Sequence, residues 1–330
     1  MSYRLTTNAP PDRLPWIEKY RAKYLDDIVG HDEDIATIRN LIDKKALPHF
    51  LFYGPPGTGK TSLILAVARE LYGENYRSYI REINASSERG IDTIRGNVTK
   101  FIKTRSNMIK LTILDEFDAM TEDAQGALRG VIESSSGNNR FCLICNNVNK
   151  VIKAIRSRCV PIKFSSLRGE AVKSKVKYII EQENIDITDE AVDSLIELES
   201  DFRQLLNILQ GIHFLHNALE TQIDKDAVYK YLHKPKQEEI QEVVDILIHG
   251  EFDKAYQTLK DLIASNRWSL IDMLQYLLDI LLTMDLGIER KNFLISELSD
   301  IEYRVKKSCE SNIQLAHLVS TFISSRKLKG

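Results

Sequence analysis

The sequence predicts an α/β domain built on a parallel sheet, followed by two helical domains. In the first half of the chain, short apolar segments of strand length alternate with stretches of helical spacing, which is typical of a sheet covered by helices on both faces. A glycine-rich loop follows the first of these segments, and beyond about residue 165 the spacing is helical throughout. The predicted strands are 50–53, 79–83, 111–114, 141–145 and 160–164.

The loop after the first strand carries a pattern associated with phosphate binding. Residues 54–61 read Gly-Pro-Pro-Gly-Thr-Gly-Lys-Thr and fit G-x-x-x-x-G-K-T. A strand before the loop and a helix after it would let backbone N–H groups and the helix N-terminus surround a phosphate. Lys60 can then reach the β- and γ-phosphates of a nucleotide, and the Thr61 hydroxyl can ligate Mg²⁺.

Two carboxylates add a candidate hydrolytic function. Asp115 and Glu116 follow the apolar segment 111–114, which suits a strand buried on both faces. Charged groups at that position are costly unless they meet a cation or a polar site. Asp115 fits a Mg²⁺-associated carboxylate and Glu116 fits the group that polarises the attacking water, so the pair favours hydrolysis over nucleotide storage. A solvated acidic turn is the alternative interpretation.

Three further polar residues occupy positions suited to a nucleotide site. Asn146 directly follows the segment 141–145, and its neutral amide can orient water. Arg158 precedes the segment 160–164, and Arg203 opens a predicted helix. A guanidinium near a nucleotide offers two-point contact to phosphate oxygens. Taken alone, each arginine is more often the partner in a surface ion pair.

Composition limits the class of protein. A chain of 330 residues with 43% hydrophobic residues predicts a globular protein of two or three domains. We expect no signal peptide and no membrane span, because the first residues lack an apolar core and acidic residues interrupt the apolar stretch 270–286. Four scattered cysteines favour a reduced, intracellular protein. Cys142 and Cys145 would lie on opposite faces of a strand, which argues against zinc.

We expect three domains, at residues 1–165, 166–235 and 236–330. Helices are predicted at 171–182, 189–198 and 202–219, and the polar sequence Lys-Pro-Lys-Gln from residue 234 separates them from the last domain. In that last domain, residues 268–282 are more apolar than one buried face requires. Such a helix lies either at the centre of a bundle or against another subunit.

One segment is basic although the chain as a whole has a formal charge of −2. Residues 88–110 carry more Lys and Arg than Asp and Glu, and they include an apolar stripe with helical spacing. A helix docked by that stripe would present a basic face suited to a phosphate backbone, although a solvated charged face is the commoner explanation. The stripe consists of Ile91, Ile94, Val98 and Phe101.

Together, these motifs resemble the replication factor C small subunits, which are AAA+ ATPases of the sliding-clamp loader. Leu14–Arg21 is similar to the family segment that closes over adenine, and Gly54–Thr61 is the phosphate loop. Asn84–Asp92 resembles the stretch leading into a DNA-tracking helix, and Asp115–Asp118 stands where the family shows Asp-Glu-Ala-Asp. Ser157–Cys159 matches the family-specific motif of an arginine finger that acts on a neighbouring subunit.

Two segments, 123–129 and 140–146, are most similar to one subtype, the subunit numbered three in yeast and five in human. The chain also departs from the family pattern. Ala22 replaces a proline, so the adenine segment is expected to be looser, and Gly130 replaces an arginine, which weakens a DNA contact. The other departures are Ser87, Phe117 and Gln204.

The resemblance implies a heteropentamer with four other subunits, which uses ATP and Mg²⁺ to load the proliferating-cell nuclear antigen clamp onto primer–template DNA without reading sequence. The implied catalytic residues are Lys60, Asp115, Glu116, Asn146 and the finger Arg158, with Thr61 and Asp115 at the metal. The implied ATP-binding residues are Ile17, Arg21, Val29, Gly54, Pro55, Pro56, Gly57, Thr58, Gly59, Lys60, Thr61, Ser62, Asn146 and Arg203. The implied DNA-binding residues are Arg89, Arg95, Lys100, Lys103 and Arg129.

Two other functions stay open at the level of sequence. One is a different AAA+ DNA-remodelling motor, such as a branch-migration enzyme, which commonly carries a winged helix at its carboxyl end. The other is a scaffold subunit that binds ATP with little hydrolysis of its own. If the chain is eukaryotic we expect it in the nucleus, and otherwise in the cytoplasm.

Overall fold

The computed structural model describes residues 14–88, 90, 92, 96, 98–104, 106–134, 137–167, 169–307 and 309–328. The chain divides into two compact units, Met1–Gln222 and Ile223–Gly330. The predicted division into three domains stays a prediction.

Five parallel strands form one sheet in the first unit, as the sequence predicts. The strand order is β2-β3-β4-β1-β5, so the first strand lies between the fourth and the fifth. Phe50 of β1 is in register with Cys142 on one side and Val160 on the other. The strands are β1 (Phe50–Tyr53), β2 (Ile80–Asn84), β3 (Lys110–Asp115), β4 (Asn139–Cys145) and β5 (Val160–Lys163).

Helices surround the sheet and follow it along the chain. The three helices predicted after residue 165 are present, and the Thr188 side chain accepts a hydrogen bond from the Ala191 N–H at the start of one of them. The described helices of this unit are α1 (Trp16–Lys19), α2 (Asp32–Asp43), α3 (Lys60–Tyr72), α4 (Thr99–Lys103), α5 (Glu122–Ser134), α6 (Lys153–Arg156), α7 (Glu170–Glu183), α8 (Asp189–Leu198) and α9 (Phe202–Leu219).

Side chains of β1, β2, β3 and β4 alternate between two apolar cores, one on each face of the sheet, and the edge strand β5 adds Ile162 to one of them. Cys142 packs in the core that contains Phe52 and residues of α3. Cys145 packs in the other core, with Leu143 and residues of α5. The predicted placement of the two thiols on opposite faces is therefore confirmed. Among the described residues, no group of three or more His, Cys, Asp or Glu side chains could hold a metal ion.

The described residues of the second unit form helices around a separate apolar core. The apolar helix predicted at 268–282 contributes Met273, Leu277 and Leu281 to this core, while its Leu282 is 55% exposed. No described helix of either unit is long and apolar enough to cross a membrane. The helices are α10 (Lys225–Leu232), α11 (Gln237–His249), α12 (Phe252–Asn266), α13 (Leu270–Thr283), α14 (Ile288–Lys306) and α15 (Ser311–Ser325).

Candidate nucleotide-binding site

A cavity of about 390 Å³ lies at the carboxyl ends of β1, β3 and β4. That size falls within the range of small-ligand pockets, and this edge of a parallel sheet is where such folds bind ligands. The loop before α3 lines the cavity, together with the segment that contains α1 and with residues of α7 and α9. All these elements belong to the first unit.

Glycine is required at two positions of the loop between β1 and α3. Gly54 has a φ of +147°, and a Cβ there would lie 2.1 Å from the Phe164 carbonyl oxygen. Gly57 has a φ of +71°, and a Cβ there would lie 1.8 Å from Asp201 Oδ1. Left-handed backbone and close neighbours together exclude larger residues. The loop therefore turns tightly between β1 and α3.

Lys60, the first residue of α3, is only 7% exposed. Its Nζ donates hydrogen bonds to the Gly54 and Pro55 carbonyl oxygens, at 2.8 and 2.6 Å. Burial lowers the pKa of the Lys60 ammonium, and the Asp115 carboxylate opposes that shift. The side chain thus places a cation inside the loop, where it can exchange these carbonyls for phosphate oxygens.

The second residue of α3 meets the end of β3. Thr61 Oγ1 donates to Asp115 Oδ2 at 2.8 Å. Asp115 Oδ1 in turn accepts from the Glu116 backbone N–H, at 2.9 Å. Glu116 has a φ of +53°, and its Oε1 accepts from Asn84 Nδ2 at 3.4 Å. A hydroxyl and two carboxylates thus lie together beside the loop.

A second group of cavity residues is apolar. Ile17 and Val29 line the cavity from the amino-terminal part of the chain, and Leu206 lines it from α9. Arg21 also lines this cavity, and its Nη1 lies 3.5 Å from Glu18 Oε2. An apolar slot beside a phosphate loop suits the flat face of a nucleotide base.

The residues that sequence and resemblance assign to ATP are largely brought together. Twelve of them line the cavity, and the remaining two, Gly54 and Pro55, contact Lys60 through their carbonyl oxygens. The twelve are Ile17, Arg21, Val29, Pro56, Gly57, Thr58, Gly59, Lys60, Thr61, Ser62, Asn146 and Arg203, and Asp115 and Glu116 lie beside them.

Other lining residues carry no motif, and sequence reasoning did not assign them. The cavity residues absent from the assignment include Asp27, Ile28, Leu167, Lys175, Phe202 and Leu206. Asn84 belongs to a segment noted for its resemblance, but nothing in its spacing points to Glu116. Asn84 ends β2 beside the end of β3, so pairing the two predicted strands could have placed it near Glu116.

Arg203 is placed by a helix cap. Asp201 precedes α9, and its Oδ1 accepts hydrogen bonds from the Arg203 and Gln204 N–H groups, at 2.8 and 3.4 Å. The same carboxylate oxygen lies next to the Gly57 backbone. This contact fixes the first turn of α9, which carries Arg203, against the phosphate loop.

Arg158 does not line the cavity. Its Nη2 lies 2.5 Å from Glu133 Oε1 on α5, and its Nη1 donates to the Ala154 carbonyl oxygen at 2.6 Å. The same Glu133 oxygen lies 3.7 Å from Arg129 Nε. Arg158 is therefore an exposed cation positioned away from the nucleotide cavity of its own chain.

The predicted DNA-binding residues are only partly described. Lys100 and Lys103 are exposed on α4, and Arg129 is exposed on α5. Arg89 and Arg95 lie outside the described residues, as do Ile91 and Ile94 of the predicted apolar stripe. Val98 of that stripe is buried, as predicted.

Comparison with known proteins finds a matching protein family model in each of the two units. The family model "ATPase family associated with various cellular activities (AAA)" matches residues 50–167, and "Replication factor C C-terminal domain" matches residues 235–321. Replication factor C subunit 3 of Oryza sativa is 40% identical over 94% of this chain and 87% of its own length. This chain belongs to the replication factor C family.

Two more replication factor C subunits support the subtype. Subunit 5 of Homo sapiens is 39% identical, covering 96% of this chain and 93% of that protein. Subunit 3 of Saccharomyces cerevisiae is 38% identical, covering 97% and 96%. The predicted subtype, numbered three in yeast and five in human, is confirmed. The chain is thus an AAA ATPase and a small subunit of a multisubunit clamp loader.

A solved structure with a related fold belongs to a different kind of AAA+ protein. The RuvB Holliday junction branch migration motor of Thermotoga maritima superposes with a TM-score of 0.57, covering 73% of this chain and 85% of that chain. Its sequence is only 16% identical, so the likeness shows the AAA+ fold alone. Replication factor C relatives match both units at more than twice that identity.

Proposed function

We propose that this chain is one of five different subunits that use ATP to load a sliding clamp onto primer–template DNA. The observation that carries the proposal is the near-full-length similarity to replication factor C subunits, which extends over both units. The four other subunits, the proliferating-cell nuclear antigen clamp and DNA are its partners. The relatives named above come from eukaryotes, which supports a nuclear location.

ATP would bind with its base between Ile17, Val29 and Leu206 and its phosphates on the loop. Lys60 would exchange its bonds to the Gly54 and Pro55 carbonyls for bonds to phosphate oxygens. This exchange conserves hydrogen bonds while it brings a cation to the triphosphate, so the buried ammonium gains an anionic partner.

Thr61 and Asp115 would hold Mg²⁺. Their side-chain oxygens lie 2.8 Å apart, and a hydroxyl with a carboxylate is the oxygen set that Mg²⁺ prefers. When bound, Mg²⁺ supplies charge neutralisation at the phosphate oxygens. Asp115 also orients Glu116 through its bond to the Glu116 N–H.

Glu116 would act as the base that activates water, and Asn146 would position that water from the end of β4. Asn84 restrains one Glu116 oxygen, which leaves the other oxygen for the water. Arg203 would contact the γ-phosphate from α9. A base in reach of water and a neutral amide beside it fit the hydrolysis of a phosphoanhydride.

Arg158 would act on the ATP of the adjacent subunit. Its guanidinium lies outside the cavity of its own chain, paired with Glu133. An arginine supplied by a neighbour makes each site complete only after assembly, which couples hydrolysis to the closed complex. Lys100, Lys103 and Arg129, with Arg89 and Arg95, would contact DNA phosphates, which carry no base sequence.

Replacement of Glu116 tests the hydrolytic assignment. In the assembled complex, Glu116→Gln is expected to lower DNA- and clamp-stimulated hydrolysis at this site about 100-fold, the usual contribution of a general base. ATP affinity should persist because the amide keeps the shape of the side chain. Glu122→Gln, an exposed change on α5, is the matched control. Unchanged turnover in Glu116→Gln would favour the scaffold alternative.

Mixed assembly tests the direction in which Arg158 acts. A complex containing Arg158→Ala should lose hydrolysis at the neighbouring subunit's nucleotide and retain it at this chain's own nucleotide, since the guanidinium lies outside its own cavity. Hydrolysis at each of these two sites can be measured separately. In each measurement the other sites of the complex are inactivated by Glu116→Gln or by the equivalent change in another subunit. Arg156→Ala is the control. Loss confined to this chain's own site would disprove the assignment in trans.

A further inference from the structure

The segment that lines the base end of the cavity is anchored to α7 and α9 through side chains of those helices that belong to no motif. This amino-terminal segment, residues 16–22, contributes Ile17, Tyr20 and Arg21 to the cavity wall. Its helix α1 has only four residues, too short to be stable by itself. Ala22 stands where the family has a proline, so no ring restrains the backbone after Arg21. The position of the segment must come from contacts elsewhere.

Four contacts supply that position. The Trp16 backbone N–H donates to Gln210 Oε1 of α9 at 3.1 Å. The Trp16 ring packs on His213 of the same helix, with the ring centroids 5.4 Å apart. Lys19 Nζ lies 2.6 Å from Glu183 Oε1, at the end of α7. The Tyr20 hydroxyl donates to that same oxygen.

Glu183 differs from a surface ion-pair partner in three ways. Its side chain is 16% exposed, and one oxygen accepts from both donors. It is also the last residue of α7, where the helix dipole disfavours a negative charge. A half-buried carboxylate at a helix carboxyl end is costly unless cationic or hydroxyl donors meet it. Lys19 and Tyr20 therefore stabilise the Glu183 carboxylate, and the same contacts hold the amino-terminal segment on α7.

Electrostatics at this contact favour the ionised carboxylate. Burial alone raises the pKa of Glu183, but the hydrogen bonds from Lys19 and Tyr20 outweigh it and lower that pKa. Burial, followed by the bond to Glu183, raises the pKa of the Tyr20 hydroxyl, so it remains a donor. Burial lowers the pKa of His213, which favours the neutral ring under Trp16.

We infer that Glu183 is a positioning residue for the nucleotide: by binding Lys19 and Tyr20 it fixes the amino-terminal segment against α7 and α9 and sets the base-end wall of the cavity. The inference rests on the proposal that this cavity takes ATP. Helix α7 also lends Lys175 to the cavity, and α9 lends Arg203 and Leu206. Helix α9 therefore carries Arg203 and also contacts the segment that forms the base-end wall.

The test compares Glu183→Gln with Glu181→Gln in the full-length chain. Both changes remove one carboxylate from the same helix, but Glu181 is exposed. Glu183→Gln should raise the dissociation constant for ATP about tenfold, the equivalent of one charge-assisted hydrogen bond. Affinity for tripolyphosphate, which has phosphates and no base, should not change. Glu181→Gln should match the parent for both probes.

Tryptophan fluorescence gives a readout that needs no nucleotide. Trp16 is 4% exposed, and the only other tryptophan, Trp268, lies in the second unit. Acrylamide quenching of Trp16 should increase in Glu183→Gln and not in Glu181→Gln. If Glu183→Gln does not fold, Tyr20→Phe removes one donor while it keeps the ring, and should produce the same changes at smaller amplitude.

The outcomes separate this inference from the proposed function. Equal ATP affinity and equal quenching in the two glutamine variants would overturn the positioning role of Glu183. Equal weakening of ATP and tripolyphosphate would overturn its assignment to the base end. Failure of the parent chain to bind ATP would overturn the proposed function instead, and the quenching comparison would still decide whether Glu183 holds the segment.

Discussion

Lys110 is a buried lysine that caps the carboxyl end of a helix. It is the first residue of β3 and only 4% exposed. Its Nζ donates to the carbonyl oxygens of Phe101, Ile102 and Thr104, at 2.5 to 2.9 Å. These carbonyls lie at the carboxyl end of α4, where helix carbonyls run short of backbone donors; the Phe101 oxygen also accepts from the Thr104 N–H. Lys110 thus joins the end of α4 to the strand that leads to Asp115.

Replacement of Lys110 by methionine should destabilise the protein. Lys110→Met keeps the apolar stem but removes the ammonium donor from three carbonyls, so the free energy of unfolding should fall by about 2 kcal/mol. Urea unfolding measures the loss. Lys103→Met, an exposed change on α4, should stay within about 0.5 kcal/mol of the parent. Equal stability of the two variants would show that the contacts of Lys110 contribute nothing.

Sequence predicted single residues well where a motif fixes their chemistry. Lys60, Thr61 and Asp115 could be placed in one cavity because the loop pattern and the end of a strand determine where they lie. Glu183 could not, because it contacts Tyr20 across a separation of 163 residues and belongs to no motif. Pairings between side chains so distant along the chain depend on how helices pack, which periodicity does not encode.

The phosphate loop is the element whose backbone leaves least room for substitution. Gly57→Ala would force an L-residue into left-handed backbone and place its Cβ against the Asp201 carboxylate. ATP affinity should therefore fall at least tenfold, by about 1–3 kcal/mol, as calorimetry on the full chain would measure. Parent-like affinity in Gly57→Ala would disprove this account of the loop.

Gly130 is the matched control for that substitution. It lies inside α5, and a Cβ there would meet nothing within 4 Å. Gly130→Ala should raise the free energy of unfolding by about 0.5–1 kcal/mol, because alanine loses less backbone entropy in a helix. Its ATP affinity should match the parent. The same glycine-to-alanine change is thus expected to weaken ATP binding in the phosphate loop and to stabilise the fold in α5.

Elements were predicted to different degrees. The strands were placed to within two residues because each is a short apolar run, and α8 and α9 were placed from their helical spacing. The cap that Asp201 gives to α9 was not predicted as a contact with the loop, since its proximity to Gly57 arises only when α9 packs there.

At the scale of the whole molecule, the second unit has a core composed only of its own residues. Leu277 of α13 is fully buried in it, with Leu247, Leu294 and Leu318 from three other helices. Leu277→Ala should cost about 2–5 kcal/mol of stability, because the cavity left behind cannot fully close. Amide hydrogen exchange should show loss of protection across α11–α15 and little change in the sheet.

Leu282→Ala serves as the control on the same helix. Its side chain is 55% exposed, so removal should change stability little. Neither variant should alter ATP affinity of the isolated chain. A large loss of stability in Leu282→Ala, or none in Leu277→Ala, would contradict the described core.

The distribution of thiols has a practical consequence for experiments on this protein. Cys142, Cys145 and Cys159 are buried, whereas Cys309, between α14 and α15, is exposed. Burial raises the pKa of Cys145 and of Cys159 to about 12, so neither is a reactive thiolate at neutral pH. A maleimide dye should therefore label the natural sequence at Cys309 alone. A fluorophore attached at Cys309 could therefore report on assembly, and the three buried cysteines would not have to be replaced first.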